Sequence, residues 1–384
     1  MIKCALTDRN LQTPIYQSQN DRSITSLSEI CNGVTLVYLN DNIGHLQTNE
    51  IENIETYYDK QYQFFDQSEE DDVLYKVVDG KKVFRQQHQV DTLVSKIQFK
   101  AGMKILDYGC AKGTVMKRLS ALNPTVVPYL FDVSRMYEHL WKKFLPLEQF
   151  ASYYPKREWN GIFDVITSFF AFEHTPNPIK ELLTIKSLLK PNGLFYCIVP
   201  NVFENIGDFI VADHVHHYSE ISLRYMFAKA GFQTLEVDSQ SHFAAFIVIG
   251  KNADTNPIPY QTPQVDLVNT NQRCLDIANY WENLQLKIAD FERKIGNQES
   301  AIYGAGVYGN FIATCIKNLD NVKCFVDQNP LLKGKTMLGK PILHPSDLPL
   351  KISKLYIGLN PKIAQASISN IDIWKDYEHE YLFL

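Results

Sequence analysis

Two groups of residues in this chain have types and spacings that can do chemistry. The first is a pair of carboxylates, Asp107 and Asp132, each tied to a short apolar run. Asp107 opens Asp107-Tyr108-Gly109-Cys110-Ala111-Lys112-Gly113, and Asp132 closes Val126-Val127-Pro128-Tyr129-Leu130-Phe131-Asp132. A carboxylate at the carboxyl end of a strand faces the crevice of a doubly wound sheet, and the second of such a pair can accept from both hydroxyls of a ribose. The second group is Asp213-His214-Val215-His216-His217-Tyr218-Ser219, with three histidines in four residues. Histidine titrates near neutrality and can take a proton, while an adjacent carboxylate orients the ring or favours its charged form. Proton transfer beside a nucleotide-like cofactor is the chemistry these two groups suggest together.

The elements that must position them follow from the same pattern. Lys104 to Leu106 reads as a short buried parallel strand, Gly109 and Gly113 permit a tight turn, and Thr114 to Leu122 has helical apolar spacing. Phe163 to Ser168 reads as a fourth strand, followed by Phe169-Phe170-Ala171-Phe172-Glu173-His174. Ile179 to Lys190 has amphipathic spacing and is ended by Pro191-Asn192-Gly193, with Leu194 to Val199 as the next strand. Ser219 is a natural N-cap for a helix through Ala230, so some of the three histidines can simply pack or hydrogen-bond at that helix entry. Phe243 to Ile249 is a further strand, Asn252 to Pro263 a proline-marked linker, and Leu267 to Ile295 one long helix or a bent pair. Beyond it, Ala301 to Tyr303 leads into Gly304-Ala305-Gly306-Val307-Tyr308-Gly309, a Gly-x-Gly-x-x-Gly turn, and Lys323 to Asp327 is a strand ending in a carboxylate. That order is a nucleotide-binding fingerprint in its proper context.

The Asp-x-Gly-x-x-x-Gly run at Asp107 differs from a dinucleotide fingerprint and resembles motif I of class I S-adenosylmethionine-dependent methyltransferases. With the second nucleotide-type unit, the chain resembles a family of bacterial C-methyltransferases that act on nucleotide-linked deoxysugars. The resemblance implies an α/β fold: a Rossmann-like methyltransferase core with a mostly parallel doubly wound sheet, a smaller C-terminal Rossmann-like domain and a small N-terminal β-unit. The implied division is 1–50 for the N-terminal unit, 51–98 for a helical lid segment, 99–251 for the core, 252–265 for a linker and 266–384 for the long helix and last domain. S-adenosylmethionine would be held by Asp107, Gly109, Cys110, Gly113, Asp132 and Phe170. Asp213-His214 matches the place of the family's Glu-His pair, with His174 and His217 as further catalytic candidates. Tyr58 and Tyr62 correspond to lid tyrosines on the acceptor side, and Gly304, Gly306, Gly309 and Asp327 would hold the nucleotide diphosphate, unless that domain only packs. The base would remove a proton next to a ketone for carbon methylation, or a hydroxyl proton for oxygen methylation. O- or N-methylation of another small molecule and a catalytically silent sugar-nucleotide-binding protein are the alternatives.

The family's N-terminal domain holds zinc with two Cys-x-x-Cys pairs, and here those four positions are Cys4, Thr7, Asn40 and Ile43. The expectation is therefore no structural metal, with Leu36 to Leu39 in a residual β-unit. Cys4, Cys31 and His45 form an alternative ligand set, and Asp213, His216, His217 and His174 a rival metal site. The chain has 384 residues, 45% of them hydrophobic and 21% charged, enough for two or three domains with real cores. A net charge of −5 without a basic run disfavours nucleic acid and anionic membrane as partners and leaves a small-molecule substrate. No apolar stretch approaches the ~20 residues needed to span a bilayer, and no secretory signal is evident, so the expected location is cytoplasmic. The seven cysteines lack paired spacings and suit reduced, buried thiols.

Overall fold

A computed structural model describes residues 1–51, 74–78, 81–253, 260–330, 332–375 and 377–384. Tyr58, Tyr62 and the middle of the proline-marked linker lie outside the described residues. The chain forms two compact units, one of 1–12, 39–208 and 215–274, the other of 13–38, 209–214 and 275–384.

The first unit is built on seven strands: β1 (Lys104–Tyr108), β2 (Val127–Asp132), β3 (Phe150–Ser152), β4 (Phe163–Phe169), β5 (Leu189–Pro200), β6 (Phe232–Asp238) and β7 (Ala245–Asn252). Their order is β3-β2-β1-β4-β5-β7-β6. The first five are parallel, while β7 runs antiparallel to both β5 and β6. These strands are continuous apolar runs because both faces of the sheet are covered; Ile105, Leu106, Leu130, Ile166 and Ile198 are fully buried. This is a Rossmann-like doubly wound sheet, and the strand order reverses between β1 and β4. The crevice for a ligand opens there, at the carboxyl ends of β1, β2 and β4.

Four helices of this unit are α1 (Arg85–Lys96), α2 (Thr114–Leu122), α3 (Pro178–Leu188) and α4 (Glu220–Lys229). Ser219 caps α4 by accepting from the Ser222 amide at 3.1 Å. α3 stops two residues before the expected Lys190, and Leu189 to Gly193 joins the strand instead. Pro191 explains it: the ring removes an amide and pushes Lys190 out of the helical region.

The N-terminal strand Leu36–Asn40 forms as expected. At the four zinc-ribbon positions, the Asn40 amide donates to Cys4 Sγ at 3.2 Å and to Thr7 Oγ1 at 2.7 Å, and Ile43 is buried. One thiol, one hydroxyl, one carboxamide and an isoleucine do not make the thiolate set that zinc takes. The carboxamide itself bridges the two loops.

In the second unit, β8 (Ser300–Tyr303), β9 (Val322–Val326), β10 (Thr336–Met337), β11 (Lys340–Leu343), β12 (Lys354–Ile357) and β13 (Glu380–Phe383) are ordered β10-β11-β9-β8-β12-β13. All pairs are parallel except β10 with β11. A continuous 32-residue helix, α5 (Gln264–Ile295), precedes the sheet in sequence and contributes its residues from Leu275 onward to this unit, while α6 (Val307–Cys315) and α7 (Pro361–Ser369) follow. Residues 13–38 and 209–214 belong to this unit: Asn20 donates to the Thr314 and Cys315 carbonyls, and the Ala212 amide to the Ile24 carbonyl at 2.7 Å.

Candidate cofactor and acceptor site

At the reversal point, Asp107 lies at the end of β1 and is 2% exposed, with the Thr167 hydroxyl donating to its Oδ1 at 3.1 Å. Burial pushes this carboxyl up to about 7; the Thr167 hydrogen bond opposes the rise and the charge of Asp132 adds to it. Asp132, at the end of β2, accepts from the amides of Ala111 at 2.8 Å and Ser134 at 3.1 Å. Its carboxyl is also raised by burial, against those amide donors. The turn between β1 and α2 is fixed from several sides. The Gly109 and Cys110 amides donate to the Phe131 carbonyl at 2.9 and 3.1 Å, and the Trp141 indole N–H holds the Ala111 carbonyl at 2.8 Å.

Gly109 and Gly113 take left-handed φ values of 79° and 72°. A Cβ on Gly109 would stand 2.7 Å from that of Ala171, and one on Gly113 2.8 Å from Leu130. Only glycine meets both the backbone and the space requirement at these positions. Cys110 is buried, and its thiol is raised well above the ordinary value by burial and the two carboxylates, so it stays neutral. A carboxylate has about four lone-pair sites, so Asp107 and Asp132 keep capacity to accept from a ligand. Two buried carboxylates on adjacent strand ends suit a ligand that carries both a cation and ribose hydroxyls.

Phe170 follows β4 with a left-handed φ of 53°, a strained conformation for an aromatic residue, and its amide donates to the Ile198 carbonyl at 2.8 Å. The Arg85 guanidinium lies over its ring, 4.5 Å from the centroid, and the His242 ring packs 5.4 Å away. Among the described residues no carboxylate is within ion-pair distance of Arg85. Around His242 stand the rings of Tyr75 at 4.9 Å and His88 at 5.1 Å. Sequence reasoning missed Arg85, Tyr75, His88 and His242. Tyr75 and His242 are 167 positions apart and carry no spacing signal.

The three histidines of the 213–219 run divide. His216 and His217 form a short strand paired with Leu46 and Gln47. His216 Nδ1 faces His45 Nε2 at 3.0 Å, and His217 is held by Asp208 at 2.8 Å and the Thr48 hydroxyl at 3.1 Å, one on each ring nitrogen. Burial drives His45 well below the usual histidine range and His216 down to about 3, so this pair is neutral. His174 closes a short 3-10 turn after β4 in the same unit. Asp213 and His214 belong to the second unit, where both oxygens of Asp213 accept from Ser26, from its amide and its hydroxyl, each at 2.6 Å.

The second glycine turn has a different anatomy. The Gly304 amide donates to the Val326 carbonyl at 2.7 Å, and Asp327 accepts from the amides of Ala305 at 2.9 Å and Asn329 at 2.8 Å. A Cβ on Gly304 would stand 2.2 Å from the Gly358 carbonyl oxygen, and one on Gly309 1.9 Å from that of Gly304. A Cβ on Gly306 would meet nothing within 4 Å.

Residues 83–237 match a family described as a methyltransferase domain. A ubiquinone biosynthesis O-methyltransferase from Thiobacillus denitrificans is 25% identical over 182 residues, covering 41% of this chain and 75% of the relative. Among solved structures, an S-adenosylmethionine-dependent methyltransferase from Aquifex aeolicus aligns with a TM-score of 0.35 at 22% identity, over 43% of this chain and 89% of its own. One from Mesorhizobium loti aligns with a TM-score of 0.35 at 12% identity, over 43% and 97%. The chain therefore carries a class I methyltransferase domain over residues 83–237, an enzyme domain with S-adenosylmethionine as its cofactor.

Proposed function

We propose that this enzyme methylates a nucleotide-linked sugar, at carbon. The support for a methyl acceptor carrying a nucleotide is the second glycine turn: the open space at Gly306, with Asp327 at the end of the next strand, suits a phosphate and a ribose. Bound at the first turn, S-adenosylmethionine supplies an activated methyl group, and the rate gain comes mainly from positioning. Asp107 and Asp132 receive its amino group and ribose, and its carboxylate is assigned to Arg85, the cation over the Phe170 ring. Gly109, Cys110 and Gly113 shape the turn, and Phe170 walls it. Asp213, His214, His174 and His217 are the proton-handling candidates that the family resemblance carries, and the same resemblance assigns Tyr58 and Tyr62, outside the described residues, to the acceptor.

Calorimetric titration with S-adenosylmethionine, repeated on Asp107→Ala, tests the cofactor site. Incubation of the loaded protein with a panel of nucleotide-linked ketosugars, followed by mass, tests the acceptor. A gain of one methylene mass on a ketosugar supports the reading; tight cofactor binding with no methylated sugar removes it. A second reading, O-methylation of another small molecule, is favoured by the relative from Thiobacillus denitrificans, whose name gives an O-methyltransferase. A panel of phenols separates the two.

A further inference from the structure

The first unit holds a histidine at the carboxyl edge of its own sheet that none of the family-derived roles uses. His242 lies in the turn before β7, which begins at Ala245, and it is 1% exposed. The neighbouring Ala244 carbonyl accepts from the Asn201 amide at 2.9 Å, just beyond the end of β5. This places His242 at the same edge as Asp107, Asp132 and Phe170. Phe170 connects it to the glycine turn, because Ala171, the next residue, packs directly on Gly109.

The hydrogen bonds fix which ring nitrogen carries the proton. Tyr75 donates its hydroxyl proton to the Phe243 carbonyl at 2.6 Å, and burial pushes that hydroxyl up to about 12, so the proton stays. His242 Nδ1 faces Tyr75 Oη at 2.9 Å and the Phe243 carbonyl at 3.2 Å. The carbonyl only accepts, and the phenol has already spent its one proton. Nδ1 must therefore donate, which leaves the basic lone pair on Nε2. Among the described residues, Arg85, His88 and Tyr75 are titratable or charged side chains that pack around this cluster.

We infer that His242, held as its Nδ1–H tautomer by Tyr75 and the Phe243 carbonyl, is the proton acceptor for methyl transfer in this domain. The acceptor's O–H or enolisable C–H bond breaks and the proton goes to Nε2. The electron pair left on the acceptor forms the bond to the methyl carbon, as the methyl–sulfur bond gives its pair to sulfur and S-adenosylhomocysteine leaves. The imidazolium keeps its Nδ1–H on Tyr75 and returns the new proton to water. Nothing in this step depends on the acceptor being a nucleotide-linked sugar or on the family-derived histidines; it needs only methyl transfer.

The test begins without an acceptor. In the uniformly nitrogen-15-labelled full chain, the His242 signals, assigned by their loss in His242→Gln, should report protonation at Nδ1, and Tyr75→Phe should shift the tautomer balance toward Nε2–H. A wild-type ring protonated at Nε2 overturns the inference. With an acceptor from the ketosugar or phenol panels, His242→Ala should lose about 100-fold or more in turnover, the range for general base catalysis, and regain part of it with imidazole in solution. Cofactor affinity should stay within about twofold, since the step lies on the acceptor side. Wild-type turnover in His242→Ala, or loss of cofactor binding without imidazole rescue, assigns His242 to packing and sinks the idea. If neither panel gives product, the proposed acceptors are wrong, and a wild-type ring protonated at Nε2 would still overturn the inference.

Discussion

The two glycine turns of this chain share one device and differ in what they do with it. In each, a carboxylate at the end of the next strand binds an amide of the turn, Asp132 to Ala111 at 2.8 Å and Asp327 to Ala305 at 2.9 Å. In each, the first glycine donates to the carbonyl just before that carboxylate. The strands leading into the turns diverge. Two residues before Gly109 stands the buried Asp107, and two before Gly304 the equally buried Ile302. The first turn thus offers two carboxylates to a cation and a ribose; the second offers one carboxylate, backbone amides and a tighter strand-to-helix contact. The two turns thus share a backbone device, and the residue two before the first glycine, a buried carboxylate in one and a buried isoleucine in the other, is where they part.

Gly309→Ala carries the largest expected effect. Its new Cβ would stand 1.9 Å from the Gly304 carbonyl oxygen, and backbone on both sides cannot yield cheaply. We expect a loss of about 3 kcal/mol or more in the second unit, read by denaturant titration, in the range for severe overpacking and backbone strain. Near-wild-type stability would mean that this turn is loosely packed and the contrast with Gly109 is overstated.

Next comes Asp107→Asn, which removes charge while keeping shape. A hydrogen bond to a charged group is worth about 1.5–3 kcal/mol, so S-adenosylmethionine affinity should fall about 10- to 100-fold. The pH dependence sharpens this. The free carboxyl sits at about 7, raised by burial, so the cofactor's positive charge must expel its proton below that value. Affinity should rise with pH up to about 7 and then level, with proton release seen calorimetrically as a buffer-dependent enthalpy, and both effects should vanish in Asp107→Asn. A flat profile in the wild type would remove Asp107 from cation binding.

Acid should also act on the buried histidines of the first unit. His45 and His216 are depressed below their ordinary value of 6.5 in the first unit, so they stay neutral in the fold while the unfolded chain takes protons. Their contribution is therefore fully present above pH 6.5 and is lost as pH falls from there toward about 3. Each unfavourable protonation costs up to about 1.4 kcal/mol per pH unit. Trp141 and Trp159 belong to the first unit and Trp281 and Trp374 to the second, so paired Trp→Phe variants can follow each by fluorescence. Burial raises Asp107 and Asp132 in the same unit, and their protonation works the other way, so the histidine contribution is read as a difference: His45→Phe should lose less stability on acidification than the wild type.

Much of this comparison was legible in the sequence because it rests on local signals. Strand, glycine turn and helix are contiguous, and Thr114–Leu122 folds over the range that its apolar spacing predicts. The Ser219 cap is equally local. The end of α3 was displaced because a proline acts on the residue before it, a backbone effect that apolar periodicity does not report. The cluster of Arg85, Tyr75, Phe170 and His242 was invisible for a different reason: its members come from four separate segments, and only the folded sheet edge brings them together. The same holds for Asp208 and Thr48, which meet the two ring nitrogens of His217, a residue that the sequence offered both as a catalytic candidate and as a packing histidine.

Gly306→Ala should change stability least and yet speak most directly to the second turn. Its backbone φ is −136°, which any residue adopts, and an added methyl would meet nothing within 4 Å. Stability should move by no more than about 0.5 kcal/mol, as for a substitution away from packing. If the open side of the turn is where a diphosphate approaches the amides at the start of α6, that methyl stands in its path. Uridine and thymidine diphosphate titrated into the full chain should then bind about tenfold more weakly to Gly306→Ala, one factor of ten per ~1.4 kcal/mol of lost contact. Asp327→Ala should also weaken them, although it additionally frees the Ala305 and Asn329 amides and so loosens the turn. Equal binding by wild type and Gly306→Ala would reduce the second turn to a packing device. No binding to either protein would do the same, and would move the nucleotide-linked acceptor out of the second unit.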